Sequence, residues 1–144
     1  MRILGRRRKK QNGTDNEKLD GITEVEQAIQ RRKDADSAGH VRGQHFTELV
    51  PTLNALRSAG APKADEYLGL LLEIIDAAEQ AASIEGVEPA PGYTRRAAVI
   101  YRRRKDYAAE LALLERYEAA CPSGRGGTFS ERIQKAESLL EVAP

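Results

Sequence analysis

The sequence predicts an all-α protein made of antiparallel helical hairpins that stack on one another. The chain has five Tyr, two Phe and no Trp, few aromatic residues for a β-sandwich or barrel. Apolar residues recur at spacings of three and four through most of residues 44–144. Residues 91–122 read as two short helices joined at Lys105-Asp106. A helix pair of that size buries its apolar stripe only by packing against similar neighbours.

Residues 1–43 are predicted to form a polar, largely disordered N-terminal arm. Met1–Lys10 carries six Arg or Lys residues and no acid, a composition typical of solvated and disordered chain. A short helix is predicted over residues 20–33, because Ile22, Val25 and Ile29 share one helical face. Residues 34–43 contain two glycines among polar residues and are predicted to be a linker.

Residues 44–144 are predicted to form the helical-hairpin domain, with helices at about 46–59, 62–85, 93–105, 107–120 and 129–142. The helix 62–85 has the longest apolar pattern and should be the spine of the domain. Leu70, Leu72 and Ala77 widen its apolar face, which predicts neighbours on two sides. One of those neighbours could be a second copy, so a homodimer through this helix is one expectation.

The positions where these helices begin or kink can also be predicted. Pro51 either lies in the first turn of its helix or kinks it. Asp106 is a candidate N-cap for the helix 107–120. Thr128, with Glu131 three residues later, has the pattern of a capping box for the last helix.

Several classes of site and protein are disfavoured by the sequence. The single cysteine, Cys121, excludes an intramolecular disulfide and a multi-cysteine zinc site. No apolar run approaches the roughly 20 residues of a membrane span, and the basic start lacks the hydrophobic region of a secretory signal. His40 and His45 are five residues apart, without the spacing of a metal or catalytic pair. We therefore expect a soluble, cytoplasmic protein that is not an enzyme and has no cofactor.

The helical hairpin at residues 94–122 resembles a tetratricopeptide repeat. The positions that match are the small residue of the first helix, the aromatic residue one turn later, the turn and the repeat-ending proline: Ala98, Tyr101, Asp106-Tyr107 and Pro122. Where the family places a small alanine in the second helix, this chain has Glu110. The resemblance implies stacked hairpins and a surface that receives another protein or a peptide.

A second resemblance covers residues 46–140. The stretch EPAPGYTRRAAVIYRRRKDYAAELALLERY, residues 88–117, is similar to helical tails that follow HIRAN domains in some bacterial proteins. The HIRAN domain itself, a small β domain associated with DNA ends, is absent from the sequence, because residues 1–43 are too short and too polar to contain it. The resemblance therefore implies the helical module alone.

The positive charge is concentrated in two places. Residues 91–105 contain six basic residues and no acid, and four arginines fall opposite Ala97 and Tyr101 on a helical wheel: Arg95, Arg96, Arg102 and Arg103. They could form a surface for phosphate groups or for an acidic protein segment. They could equally form a solvated face that is partly neutralised by acids of the helix 62–85, which is the interpretation that the sequence favours.

Two further candidates complete the predicted surface. The N-terminal run Arg6, Arg7, Arg8, Lys9 and Lys10 could be an arm for nucleic acid or an anionic membrane surface, or a solubilising tail, which the sequence favours. Tyr117 falls at the edge of its helix's apolar stripe and could belong to a peptide-binding groove. The sequence thus predicts a non-enzymatic protein-interaction module, with a nucleic-acid-associated protein as the alternative.

Overall fold

The computed structural model describes residue 21 and residues 23–143, which are mostly helical. The chain divides into two compact units, residues 1–33 and residues 34–144. In the first unit, residues 23–33 are helical and their side chains are exposed. The second unit opens with helical residues 34–38, so that helix α1 covers residues 23–38. The predicted disorder of the first 20 residues lies outside the described part of the chain.

The linker predicted for residues 34–43 is instead the end of α1 followed by a small β-hairpin. Strand β1 (His40–Val41) pairs antiparallel with strand β2 (Gln44–His45), with His40 opposite His45. The two turn residues, Arg42 and Gly43, both have left-handed φ angles of 52° and 83°, as a two-residue hairpin turn requires. Val41 is buried in the core and anchors the hairpin.

Five α-helices make up the rest of the second unit, near their predicted positions: α2 (Val50–Ser58), α3 (Ala64–Glu85), α4 (Pro91–Arg103), α5 (Tyr107–Ala120) and α6 (Ser130–Val142). Short 3₁₀ helices at Phe46–Leu49 and Ala61–Lys63 precede α2 and α3. Pro51 lies in the first turn of α2, where a missing backbone N–H breaks no helical hydrogen bond. No described helix is both long and apolar enough to cross a lipid bilayer.

Helix α3 is the centre of the core, as its apolar pattern predicted. It packs against α2, α4, α5 and β1. Leu70, Leu71 and Ile74 have no exposed surface, and Ala77 is also buried. Of the residues that widen its apolar face, Leu70 and Ala77 are buried within the chain and Leu72 is half-buried. The homodimer through this helix stays a prediction.

The connection between α4 and α5 is a tight turn that brings the two helices into contact. Lys105 has a left-handed φ of 58°, and the Lys105 and Asp106 N–H groups donate to the carbonyls of Arg102 (3.0 Å) and Tyr101 (2.9 Å). This is the hydrogen-bond pattern of a Schellman motif. The Asp106 carboxylate then accepts a bond from the Ala109 N–H at 3.2 Å, which confirms the predicted N-cap.

Helix α6 is capped differently from the prediction. Its N-cap position is Phe129, which makes no side-chain capping bond, so the capping box predicted at Thr128 and Glu131 is wrong. The Glu118 carboxylate of α5 accepts instead from the N–H groups of Gly127 (2.7 Å) and Phe129 (3.0 Å). A Cβ at residue 126 would lie 2.7 Å from Glu118 Oε2, so glycine there leaves room for the carboxylate.

Candidate functional site

The candidate site is a groove between α2 and α4, which we call the arginine groove. Both helices pack against α3, and a space of about 470 Å³ lies between them. Its α4 side consists of residues one helical turn apart in two rows: Arg95, Arg96, Val99, Ile100, Arg103 and Arg104. The opposite side comes from the end of α2 and the start of α3: Leu56, Arg57, Gly60, Ala64 and Tyr67.

The floor of the arginine groove is apolar. Leu56, Val99 and Ile100 are each half-buried, and Tyr67 is only 8% exposed. Gly60 and Ala64 are small, so the connection between α2 and α3 leaves the space open. The floor therefore presents hydrocarbon to solvent and few groups that could hydrogen-bond a ligand.

The rim of the groove is positively charged. Arg57, Arg96 and Arg103 form no ion pair with any described residue. Arg95 also has no such pair, and its guanidinium carbon lies 5.5 Å from the centre of the Phe129 ring, a cation–π arrangement. Arg104 is the exception, because its Nη2 donates to Asp65 Oδ1 at 3.0 Å.

The acids of α3 neutralise little of this rim. Glu66 pairs with Lys63, and Glu73 pairs with Arg42. Asp76 and Glu79 both pair with Arg116 of α5, whose pKa they raise against the opposing effect of its partial burial. Among these acids only Asp65 reaches an arginine of α4. Neutralisation by α3, the interpretation favoured from sequence, therefore accounts for Arg104 and leaves the other rim charges unpaired.

Arg102 does not belong to the groove, in contrast to its predicted place in the basic stripe. Its Nε donates to Glu110 Oε1 at 2.9 Å, and its Nη2 donates to the Arg132 carbonyl at 3.1 Å. Arg132 Nε lies 3.2 Å from the other Glu110 oxygen in a second ion pair. Desolvation and the neighbouring Arg102 charge lower the pKa of Arg132, while Glu110 opposes that shift. Arg102 thus fixes α4 to α5 and α6.

Tyr117 lies in the core, not in a groove. It is 1% exposed, its hydroxyl donates to the Pro89 carbonyl at 2.8 Å, and its ring meets Phe129 edge-on at 4.9 Å. Desolvation, with the neighbouring Cys121 thiol as the next cause, raises the Tyr117 pKa to about 12. Burial is also the main cause that raises the pKa of Cys121. Both side chains serve packing at the junction of α5 with the α3–α4 connection.

The remaining candidates add no site to the described residues. The basic run Arg6, Arg7, Arg8, Lys9 and Lys10 lies outside them. His40 Nδ1 lies 2.7 Å from the Asp36 carbonyl, and His45 Nδ1 accepts from the Thr47 N–H at the start of the first 3₁₀ helix. Within residues 23–143, no three His, Cys, Asp or Glu side chains gather in a way that could hold a metal ion.

The arginine groove therefore combines three predicted residues with an apolar half that the sequence analysis did not find. Arg95, Arg96 and Arg103 lie together on one face of α4, as the wheel indicated. The apolar half consists of Leu56, Val99 and Ile100, and Arg57 of α2 lies on the opposite rim. For the rim that faces α4, the only sequence signal was Arg57, an isolated arginine near the end of α2.

Comparisons with known proteins add no family to this description. No protein-family model matches the chain, and searches of curated proteins and of solved structures found no match.

Proposed function

We propose that this chain is a non-enzymatic protein-interaction module of the helical-repeat type, and that the arginine groove is its contact surface. The observation that carries the proposal is the combination of an apolar floor with four arginines, Arg57, Arg95, Arg96 and Arg103, that lack an ion pair with a described residue. Protein interfaces commonly have an apolar centre within a polar rim and are enriched in arginine.

The energetics of the groove favour a partner that covers the floor. Removing apolar surface from water contributes about 25 cal/mol per Å², and Leu56, Val99 and Ile100 all retain exposed surface. Unpaired rim arginines would speed the approach of an acidic partner and select against a basic one. The resemblance of α4 and α5 to a tetratricopeptide hairpin supports the same class of function, because stacked hairpins commonly receive peptides.

Site-specific crosslinking tests the proposal. A photoreactive amino acid replaces Val99 on the floor, and a matched variant carries it at the exposed Ser138 of α6. In the source cell, irradiation of the Val99 variant should give a discrete protein adduct that the Ser138 variant lacks. The R96E/R103E background should remove the adduct. If both positions give the same adducts, or if the charge reversal leaves the Val99 adduct unchanged, the groove is not the interaction surface.

A nucleic-acid-associated function is the second candidate, supported by three arginines on one face of α4, Arg95, Arg96 and Arg103, that form no ion pair with a described residue. It predicts that binding of duplex DNA or single-stranded RNA weakens steeply between 50 and 200 mM salt. A flat salt response, or no binding at low salt, would dispose of it. Nuclease treatment before analysis of the Val99 adducts separates the two candidates, because it would remove a nucleic-acid adduct and leave a protein adduct.

A further inference from the structure

We infer that the arginine groove receives an amphipathic α-helix whose apolar stripe is bordered by acidic residues. This inference rests on the proposed function and specifies the conformation and chemistry of the partner segment. It follows from three properties of the groove: the hydrogen-bonding character of its walls, the order of residues along α4, and its charge.

The walls of the groove favour a helix over an extended segment. An extended chain would turn half of its backbone N–H and C=O groups toward the groove, where each needs a partner. The rim arginines have donors and no acceptors, and the floor residues Leu56, Val99 and Ile100 have apolar side chains. The side chains that line the groove therefore offer few acceptors to the N–H groups of an extended segment. A helix satisfies its backbone internally and presents side chains alone.

The order of residues along α4 sets the pattern of the partner. Arg96 and Arg103 are seven residues apart, which is about 10.5 Å along a helix axis, and Val99 and Ile100 lie between them. A partner helix lying along α4 matches this order when two carboxylates are also seven residues apart. Its large apolar residues then fall three and four positions after the first carboxylate and meet Val99 and Ile100.

The charge of the rim selects acidic residues for the borders of that stripe. Arg96 and Arg103 have no ion pair with a described residue, so a carboxylate gains a partner there without displacing one. The nucleic-acid occupant fits less well, since a phosphate backbone would cover the apolar floor with charged groups. Tyr67, the one aromatic residue of the groove, is too deeply buried to stack on a base.

The test uses synthetic peptides with the intact protein. The stripe peptide is about 20 residues long, so that a helix can form, with Glu at positions seven apart, Leu three and four positions after the first Glu, and Ala and Gln elsewhere. A second peptide has the same composition in an order that breaks the stripe. A third carries a central proline. Fluorescence anisotropy measures binding of each labelled peptide, and circular dichroism measures the helix gained on binding.

The stripe peptide should bind about tenfold more tightly than the rearranged or proline peptides and should gain helix on binding. Its affinity should fall about tenfold in the R96E/R103E variant. The control is R125E/K135E, which changes the net charge equally at two exposed residues outside the groove and should bind as the wild type does. Circular dichroism of each variant establishes that the fold is retained.

Three results would overturn the inference. They are equal binding of the stripe and rearranged peptides, equal loss of affinity in the two charge-reversal variants, and tighter binding at the groove by an oligonucleotide than by the stripe peptide. The inference can fail while the proposed function stands. If the Val99 crosslink to a protein persists while no helical peptide binds, the groove is an interaction surface for a segment of another conformation.

Discussion

Glu110 departs from the sequence pattern that its hairpin resembles, yet it has a clear structural role. In the sequence it is a departure from the tetratricopeptide pattern, which places a small alanine there. In the structure it has no exposed surface, and its two carboxylate oxygens face Arg102 and Arg132. A buried carboxylate between two arginines holds α4, α5 and α6 together by charge.

Replacing Glu110 should therefore destabilise the fold strongly. Glu110→Ala leaves Arg102 and Arg132 close together without their shared counter-ion, and breaking a buried ion pair in this way costs about 3–5 kcal/mol. Chemical denaturation followed by circular dichroism measures the free energy of unfolding. Glu115→Ala, an exposed acid on the same helix, is the control and should change it by less than about 0.5 kcal/mol. Equal losses in the two variants would contradict the role of the ion pairs.

The ion pairs of Glu110 with Arg102 and Arg132 explain why Arg102 was wrongly predicted to belong to the basic surface. A helical wheel gives the angle of Arg102 on α4 but not what lies opposite it. Arg132 is 30 residues further along the chain, and nothing in the local pattern of either residue indicates that they share an acid. Arg96 and Arg103 line the groove between α2 and α4, whereas the Arg95 guanidinium, which also lines it, lies against the Phe129 ring at the start of α6. The position of Arg102 depends on a partner that is distant in sequence, which a helical wheel cannot show.

At the scale of elements, local signals predicted the helices well and long-range contacts were missed. The period of α3 and the Asp106 cap depend on neighbours within one or two turns, and both are confirmed. The cap of α6 depends on Glu118, which lies on another helix, and the local Thr128–Glu131 pattern pointed elsewhere. The hairpin β1–β2 has strands of two residues, too short for any alternation to be read.

The cross-helix cap of α6 gives a prediction at this scale. Glu118→Ala removes the acceptor for two N–H groups at the start of α6, so it should lower the free energy of unfolding by about 1–2 kcal/mol. Thr128→Ala is the matched control, since the predicted capping box is not formed, and it should change stability by less than about 0.5 kcal/mol. Thermal and urea unfolding of both variants measure the difference. A larger loss of unfolding free energy in Thr128→Ala than in Glu118→Ala would contradict this prediction and indicate that the capping box forms.

The arginine groove also belongs to this scale, and its apolar half could not be read from one element. Leu56 and Val99 lie on different helices, 43 residues apart, and each helix alone shows an ordinary amphipathic pattern. The groove exists because α2 and α4 both pack against α3 and leave a space between them. Sequence periodicity gives the faces of helices. It does not give the gap between two faces that share a third helix.

At the scale of the whole molecule, burial is distributed unevenly along the chain. One apolar core runs through the second unit from Val41 to Phe129 and includes residues of α2, α3, α4 and α5. In the first unit, every described side chain of α1 is exposed, including Val25 at 60% and Ile29 at 51%. A helical segment whose side chains are all exposed, such as residues 23–33, is marginal in water. The two units should therefore differ in local stability.

Hydrogen exchange measured by mass spectrometry tests this difference on the full chain. Amides of α3 around Ile74 should exchange only through global unfolding, because their helix is the buried centre of the core. Amides of residues 23–33 should exchange orders of magnitude faster, close to the rate of an isolated helix. Strong protection of residues 23–33 would contradict the prediction and would mean that another surface covers Val25 and Ile29. Repeating the measurement at a tenfold lower protein concentration identifies that surface, since protection from a second copy falls on dilution and protection within one chain does not.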